Sequence, residues 1–185
     1  YRAEREVAPA SQTETFAALR LFVDNWRWQG VPFYLRTGKR LPSKITEITV
    51  QFRPVPHLAF PADAVSDWQP NRLVIRIQPQ ERIALRLHVK EPGHGMQVSP
   101  VAMQFCYADH FGGTLPDAYE TLLLDILRGD ATLFMRADQV EAAWSVVSPV
   151  PEHWAAAPAP DLPNYSAGAW GPAAASSCGR TGPVW

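Results

Sequence analysis

Four cationic side chains crowd into residues 36–44, which read Arg-Thr-Gly-Lys-Arg-Leu-Pro-Ser-Lys. Lysine is a compact point charge that suits a phosphate oxygen or a sugar hydroxyl, and Gly38 would let a ligand approach the backbone closely. The segment is not a P-loop, because that motif needs another glycine where Phe33 stands and a Ser or Thr where Arg40 stands. Charge runs are more often solvated turns, so the spacing alone leaves both a phosphate site and a solvated turn open.

Other polar residues offer weaker candidates for chemistry. Arg76 and Gln78 share the polar face of a predicted strand, where they could bind a ligand or simply make cross-strand pairs. Asp109 and His110 are adjacent in a predicted strand and would point to opposite faces, which argues against a catalytic pair. No G-x-G-x-x-G is present, so the chain has no dinucleotide fingerprint of its own. None of the five histidines has metal-ligand spacing, so no metal site is expected: His57, His88, His94, His110 and His153.

Composition narrows the class of protein. Hydrophobic residues make up 46% and charged residues 19%, which is ordinary for a globular domain. The formal net charge of -1 argues against a nucleic-acid binder, which needs a basic face. No apolar run approaches the ~20 residues that span a bilayer. Cys106 and Cys178 are too few and too far apart for a disulfide scaffold, so we expect free thiols and a cytoplasmic protein without a membrane partner.

The cationic segment follows a predicted helix and a short strand. Ser11 and Glu14 form a plausible capping box, and apolar residues recur at helical spacing behind it, which predicts a helix over residues 14–28. Gly30 would end this helix, and the aromatic run at 32–36 suits a strand.

Four alternating strands come next, each with one apolar and one polar face. A link of hairpin length at 79–82 joins the second and third strands, which indicates antiparallel pairing. The apolar residues that share a face in each strand are Ile48, Val50 and Phe52; Leu73, Ile75 and Ile77; Ile83, Leu85, Leu87 and Val89; and Val101, Met103, Phe105 and Tyr107.

Two further helices are predicted, one closed by Gly129 and one opening near Asp138 and stopping at Pro149. The order of helix, strands and helices predicts an α+β fold, a largely antiparallel sheet with helices packed on one face. We expect one domain over residues 1–172. The remaining residues, 173–185, form a Pro-, Ala-, Gly- and Ser-containing tail that is either partly disordered or laid over a surface.

Taken in order, six segments resemble the C-terminal domain of glucose-6-phosphate dehydrogenase. They are LFVDNWRW at 21–28, GVPF at 30–33, RTGKRL at 36–41, NRLVIRIQP at 71–79, PDAYE at 116–120 and YSAGAWGP at 165–172. The resemblance implies an NADP-dependent oxidoreductase of glucose metabolism that converts glucose 6-phosphate to its phospho-lactone. It also implies a homodimer formed through the sheet.

The resemblance assigns roles to individual residues. It places Lys39 near the sugar and its hydroxyls, Lys44 at the substrate phosphate and Gln78 near the sugar. The family's catalytic base and main NADP site lie in a coenzyme half that would precede Tyr1, so no catalytic residue is expected here and the isolated chain is expected to be inactive.

A second, structural NADP is known in the animal enzymes of the family. Arg36, Arg76 and Arg86 match that site and are the cofactor-binding candidates. We nevertheless expect no structural NADP, because other residues stand where the family site would carry charged ones: Ile45, Thr49, Gln104 and Trp170. The alternative is that the chain is not part of an enzyme but a non-catalytic binding or assembly module, in which this domain serves for contact between subunits.

Overall fold

The computed structural model describes residues 1–57, 64, 68–112, 117–157 and 164–177. The chain forms two compact units, one made of Tyr1–Ser43 with Asp130–Trp185 and the other of Lys44–Gly129. The predicted division into residues 1–172 and a tail at 173–185 stays a prediction. Within the tail, Ala173–Ser177 is a 3-10 helix, and residues 178–185 lie outside the described part.

The first unit contains an antiparallel hairpin of β1 (Phe16–Phe22) and β2 (Pro32–Gly38). The helix predicted over residues 14–28 is therefore wrong. The sequence FAALRLF fits a strand as well as a helical stripe, and pairing with the aromatic β2 strand satisfies its backbone groups. The Ser11 hydroxyl accepts a hydrogen bond from the Thr13 N–H at 3.3 Å, which makes a local turn in place of the expected capping box.

The connection between these strands is a turn organised by Asn25. Its side-chain oxygen accepts hydrogen bonds from the backbone N–H groups of Arg27 (3.1 Å) and Trp28 (2.9 Å). Gly30, expected to end a helix, instead closes this turn with a φ of 74°.

The second unit is built on one antiparallel sheet whose strand order follows the sequence. Its strands are β3 (Thr46–Gln51), β4 (Arg72–Gln78), β5 (Arg82–Lys90) and β6 (Val98–Cys106). The register places the predicted apolar residues in common rows, since Ile48 pairs with Ile75, Ile75 with Ile83 and Ile83 with Phe105. The four strands and their antiparallel pairing are confirmed.

The two faces of this sheet differ in what they bury. Val74 and Ala84 are buried side by side on the otherwise polar face, at 5% and 6% exposure. On the apolar face, Met103 is 65% exposed and Ile48 is 52% exposed. Large apolar side chains on this face therefore remain accessible, and they would gain free energy from being covered.

Two helices follow the sheet within the second unit. α1 (Tyr107–Phe111) continues directly from β6, so Asp109 and His110 lie in a helix and the strand predicted for them is wrong. α2 (Ala118–Arg128) matches the prediction. Asp117 caps it by accepting from the Tyr119 N–H at 2.8 Å, and Gly129 ends it in a left-handed conformation with a φ of 70°.

The first unit adds α3 (Ala137–Val147) and α4 (Pro149–Ala156). α3 is the predicted helix, but Pro149 begins a further helix where a stop was expected. Proline is tolerated in the first turn of a helix, because the N–H that it lacks would have no intrahelical partner there. The mixture of antiparallel sheet and helices confirms the α+β prediction.

Within the described ranges, no helix is both long and apolar enough to cross a membrane. The same part of the chain holds no group of three or more His, Cys, Asp or Glu side chains able to hold a metal ion.

Candidate functional site

Lys39 lies at the exit of β2, and both of its backbone polar groups are fixed. Its N–H donates to the Thr15 carbonyl at 2.7 Å, which continues the β1–β2 pairing beyond the strand ends. Its carbonyl accepts a hydrogen bond from the Tyr165 hydroxyl at 3.0 Å. Because the backbone is held on both sides, the lysine side chain starts from a defined position.

Residues just after Tyr165 hold the next residue of the turn. The carbonyl of Arg40 accepts a hydrogen bond from the Gly168 N–H at 2.9 Å. Arg40 has a φ of 53°, a left-handed conformation that costs free energy in a non-glycine residue. Its guanidinium also donates to Glu4 at 2.6 Å and 3.1 Å, and this hydrogen bond and charge lower the pKa of Glu4.

Phe16 is the apolar support of this turn. Its ring lies 5.7 Å from the Tyr165 ring, between centroids. A Cβ added at Gly38 would lie 2.8 Å from a Phe16 ring carbon, and one added at Gly171 would lie 2.3 Å from another. Both glycines are thus required by the close approach of Phe16, and the Gly38 expected to admit a ligand instead packs against this ring.

Arg36, one of the cofactor candidates, lies against Trp170, which belongs to the same stretch of chain as Tyr165 and Gly168. Its guanidinium carbon is 4.8 Å from the centroid of the Trp170 ring, and its Nη1 donates to the Trp170 carbonyl at 3.5 Å. Burial lowers the pKa of the Arg36 guanidinium from its ordinary value. Beside these two residues is a cavity of about 130 Å³ lined also by Tyr34, Leu35 and Pro172.

Lys44 and Gln78 belong to the second unit, whereas Lys39 belongs to the first. Gln78 ends β4 and pairs with Thr46, so Lys44, two residues before Thr46, lies at the same end of the sheet as Gln78. The prediction that Lys39, Lys44 and Gln78 serve one substrate stays a prediction.

The remaining candidates, Arg76 and Arg86, also lie in the second unit. Arg76 is paired with Glu47, at 2.8 Å and 3.1 Å, in a side-chain contact that is mostly shielded from solvent. Arg86 points to the same face of the sheet and is exposed.

The family model for "Glucose-6-phosphate dehydrogenase, C-terminal domain" matches residues 1–185. The chain belongs to this family. Glucose-6-phosphate 1-dehydrogenase of Aggregatibacter actinomycetemcomitans is 49% identical over 186 residues, which cover 100% of this chain and 36% of that enzyme. The enzyme of Mycolicibacterium smegmatis is 50% identical over 183 residues, covering 97% of this chain and 36% of its own.

Solved structures of the dehydrogenase agree with the fold. A glucose-6-phosphate dehydrogenase in complex with its substrate matches with a TM-score of 0.81 at 33% identity, over 93% of this chain and 35% of that one. The enzyme from Mycobacterium avium matches with a TM-score of 0.72 at 36% identity, also over 93% and 35%. The predicted resemblance is confirmed, and the chain spans about a third of the length of these relatives.

Within this dehydrogenase domain, three residues of the Lys39 turn had no role in the sequence prediction: Thr15, Tyr165 and Gly168. Tyr165 and Gly168 belong to one of the segments that carried the resemblance, but their contacts lie more than 100 positions away in sequence. Thr15 had been placed inside the wrongly predicted helix, which concealed its pairing with Lys39.

Proposed function

We propose that this chain is the part of a glucose-6-phosphate 1-dehydrogenase that binds the sugar phosphate. The whole enzyme would oxidise D-glucose 6-phosphate to 6-phospho-D-glucono-1,5-lactone with NADP. The observation that carries the proposal is the 49% identity to an enzyme of that name across 100% of the chain. The doubly anchored Lys39 backbone supports it, because a binding cation is most useful when its position is fixed before the ligand arrives.

The substrate roles divide between two kinds of contact. Lys39 would donate to the sugar hydroxyls, and Lys44 would offset the charge of the phosphate through a charge-assisted hydrogen bond. Gln78, at the same end of the sheet as Lys44, would bind the sugar through its amide. Hydride acceptor and general base would come from a coenzyme domain outside these residues, so the chain itself binds and orients the substrate.

NADP supplies the hydride acceptor when bound, and the residues of this chain fit a second, structural NADP poorly. Arg36 already contacts Trp170, and Arg76 is held by Glu47. Two of the three arginine candidates would thus have to give up existing partners to reach a nucleotide phosphate. This supports one NADP per subunit, and a titration that finds two tight NADP sites per subunit would contradict it.

The substrate roles are tested in the enzyme that carries this chain. Lys44→Gln should raise KM for glucose 6-phosphate about tenfold or more, since a hydrogen bond to a charged group contributes about 1.5–3 kcal/mol. Lys39→Gln should lower kcat/KM for the sugar phosphate, and both variants should leave KM for NADP unchanged. Lys90→Gln is the matched control, because within the described residues the Lys90 ammonium donates only to the carbonyls of Glu91 and Gly93 in its own turn. Unaltered sugar-phosphate kinetics in both test variants would refute the assignment.

We also propose that the enzyme is a cytoplasmic homodimer that assembles through the four-stranded sheet. The candidate interface is the polar face of the sheet, which carries Arg76, Arg86 and His88. The exposed apolar residues of β3 and β6 support further contacts of the same sheet with another surface. Light scattering of the purified enzyme would give its mass directly. A monomer at micromolar concentration would contradict the dimer without affecting the proposed substrate roles.

A further inference from the structure

The end of the four-stranded sheet that holds Gln78 carries a β-bulge. In the register of β3 with β4, Thr46 pairs with Gln78. The next residue of β3, Glu47, pairs with Arg76 instead of Ile77, so one step along β3 corresponds to two steps along β4. Ile77 is the extra residue of the bulge. Bulges change the direction of the side chains beside them and are frequent next to active sites.

The bulge changes the face of the sheet on which Gln78 lies. Regular alternation, as the sequence predicts it, would place Gln78 on the face of Arg76. Residues directly opposite one another in an antiparallel ladder project from the same face, so the observed register places Gln78 with Thr46. Arg76 shares the other face with Glu47, the neighbour of Thr46. Lys44 precedes Thr46 by two residues, the spacing at which an extended chain returns a side chain to the same face.

A side-chain ion pair joins the two strands at this bulge. The Nε and Nη2 of Arg76 donate to one carboxylate oxygen of Glu47 at 3.1 Å and 2.8 Å. The Arg76 and Glu47 side chains are only 19% and 29% exposed, so solvent screens the pair less than an ordinary surface pair. The other Glu47 oxygen accepts from the Thr49 hydroxyl at 3.4 Å, which fixes the carboxylate within its own strand.

Gln78 has little else to set its alignment. The pairing of β4 with β5 ends at Arg76 and its partner Arg82, two residues before Gln78. The backbone at Gln78 is therefore aligned from the β3 side, across the bulge. The ion pair of Glu47 with Arg76 is the side-chain contact that joins β3 to β4 immediately before that point.

We propose that Glu47 is a positioning residue for sugar-phosphate binding. Its ion pair with Arg76 fixes the bulge, and the bulge turns Gln78 to the face that Lys44 takes. This inference rests on the proposed function, in which Gln78 and Lys44 contact the substrate. Glu47 itself lies on the opposite face and acts on the sugar only through the position of Gln78.

The negative charge of Glu47 is the property that this role requires. Arg76 has Arg82 as its Cα partner on the β5 side, and like charges at directly opposite positions destabilise a sheet. The Glu47 carboxylate offsets one of these charges, whereas a glutamine amide offers a hydrogen-bond acceptor without the charge. Glu47→Gln should therefore loosen the bulge while both strands remain.

A double-mutant cycle in the enzyme that carries this chain tests whether Glu47 acts through Gln78. Gln78→Ala should lower kcat/KM for glucose 6-phosphate about fivefold, the effect of losing one neutral hydrogen bond. Glu47→Gln should lower it about threefold, because a residue that only positions Gln78 has a smaller effect than the loss of Gln78 itself. The double variant should match Gln78→Ala, and KM for NADP should be unchanged throughout.

Asp138→Asn is the matched control. The Asp138 carboxylate accepts hydrogen bonds from the Arg136 guanidinium at 3.0 Å and 2.8 Å, so this variant also removes one carboxylate from an arginine pair. Asp138 lies in α3, outside the unit that contains the bulge. Its replacement should leave the sugar-phosphate kinetics at the wild-type value.

A second cycle uses Arg76→Lys, which keeps the opposite charges and loses the paired donors of the guanidinium. It should give a smaller loss than Glu47→Gln, again absent when Gln78 is alanine. This cycle decides the matter if Glu47→Gln yields too little folded enzyme.

A threefold loss that persists in the double variant would overturn the positioning role, because Glu47 would then act independently of Gln78. Unchanged kinetics in Glu47→Gln would overturn it as well, while a loss in Gln78→Ala alone would still support the substrate role of Gln78. If Gln78→Ala has no effect, the proposed substrate role of Gln78 fails and this inference fails with it.

Two further measurements on Glu47→Gln separate positioning from other roles. An equal loss of kcat/KM toward both substrates, with weaker resistance to urea, would assign the ion pair to general stability. A changed mass in light scattering would assign it to subunit contact. Either result would overturn the proposal.

Discussion

Replacing Tyr165 with phenylalanine removes one hydroxyl and leaves the packing of the ring on Phe16 in place. That hydroxyl lies 3.0 Å from the Lys39 carbonyl, 3.1 Å from the Thr15 carbonyl and 3.3 Å from the Thr15 hydroxyl oxygen. Thr15 keeps its bond from the Lys39 N–H in the variant, so the Lys39 carbonyl is the group that loses a protein donor. The substitution therefore loosens one of the two anchors of the Lys39 backbone.

The size of the effect follows from a single neutral hydrogen bond. Its net contribution is about 1 kcal/mol, because solvent can partly replace it at this partly exposed site. If the whole of that free energy holds Lys39 in its binding position, kcat/KM for glucose 6-phosphate falls about fivefold. The affinity for NADP should not change, since the proposed coenzyme site lies outside this chain.

The assay is steady-state NADPH formation by the enzyme that carries this chain, with each substrate varied in turn. Tyr34→Phe is the matched control, because Tyr34 lies on β2 of the same hairpin and its hydroxyl has no hydrogen bond within the described residues. It should retain wild-type kinetics for both substrates.

Two results would refute the positioning role of Tyr165. One is an unchanged kcat/KM for the sugar phosphate. The other is an equal loss toward both substrates, which would indicate a general loss of folded enzyme. Unfolding in urea, measured on the same protein, separates that second case from a local loosening of the turn.

Three further expectations concern stability and reactivity. Gly171→Ala should cost about 2 kcal/mol or more in urea unfolding, because its Cβ would lie 2.3 Å from an aromatic ring carbon at a φ of 108°. Gly30→Ala, with a φ of 74° and nothing within 4 Å, should cost only about 1 kcal/mol, and equal losses would contradict the steric argument. Desolvation and the hydrogen bond with Asp109 raise the pKa of the Cys106 thiol. Alkylation followed by peptide mapping should therefore show that Cys106 reacts more slowly than a free cysteine at the same pH. The Arg40 hydrogen bond lowers the pKa of Glu4, so the stabilisation from this pair is present above the ordinary carboxyl pKa and is lost as pH falls through the lowered value. Urea titrations at several pH values should show Glu4→Gln losing that part of the acid sensitivity, and an unchanged pH profile would contradict it.

The four-stranded sheet was predictable because each strand alternates strictly and the hairpin link is short. The register followed as well, because a slip by one residue would move Ile75 away from its partner Ile83 and turn the apolar row of the strand to the opposite face of the sheet. The first strand was not predictable in the same way. Its seven residues place apolar side chains at positions that satisfy a helical stripe and a strand equally, and only the distant partner strand decides between them.

The candidate site likewise contains features that the sequence reveals and features that only the fold reveals. The cations of residues 36–44 were visible as a cluster, and family resemblance gave Lys39 and Lys44 their roles. The contacts that hold the Lys39 turn were not visible, because Thr15, Lys39 and Tyr165 come together only in the folded chain. Sequence shows which charges are present, whereas the hydrogen bonds that fix the backbone beside Lys39 are a property of the folded chain.

The late segment at 165–172 has a physical reason to carry its particular residues. Tyr165 supplies a hydroxyl to the Lys39 carbonyl, Gly168 supplies an N–H to the next carbonyl, and Gly171 leaves room for the ring of Phe16. Each contact is made with β1, β2 or the turn that follows. The segment therefore stabilises a two-stranded hairpin, which would be only marginally stable without such packing. Substitutions in this segment should therefore affect sugar-phosphate binding before they affect the four-stranded sheet, which belongs to the other unit.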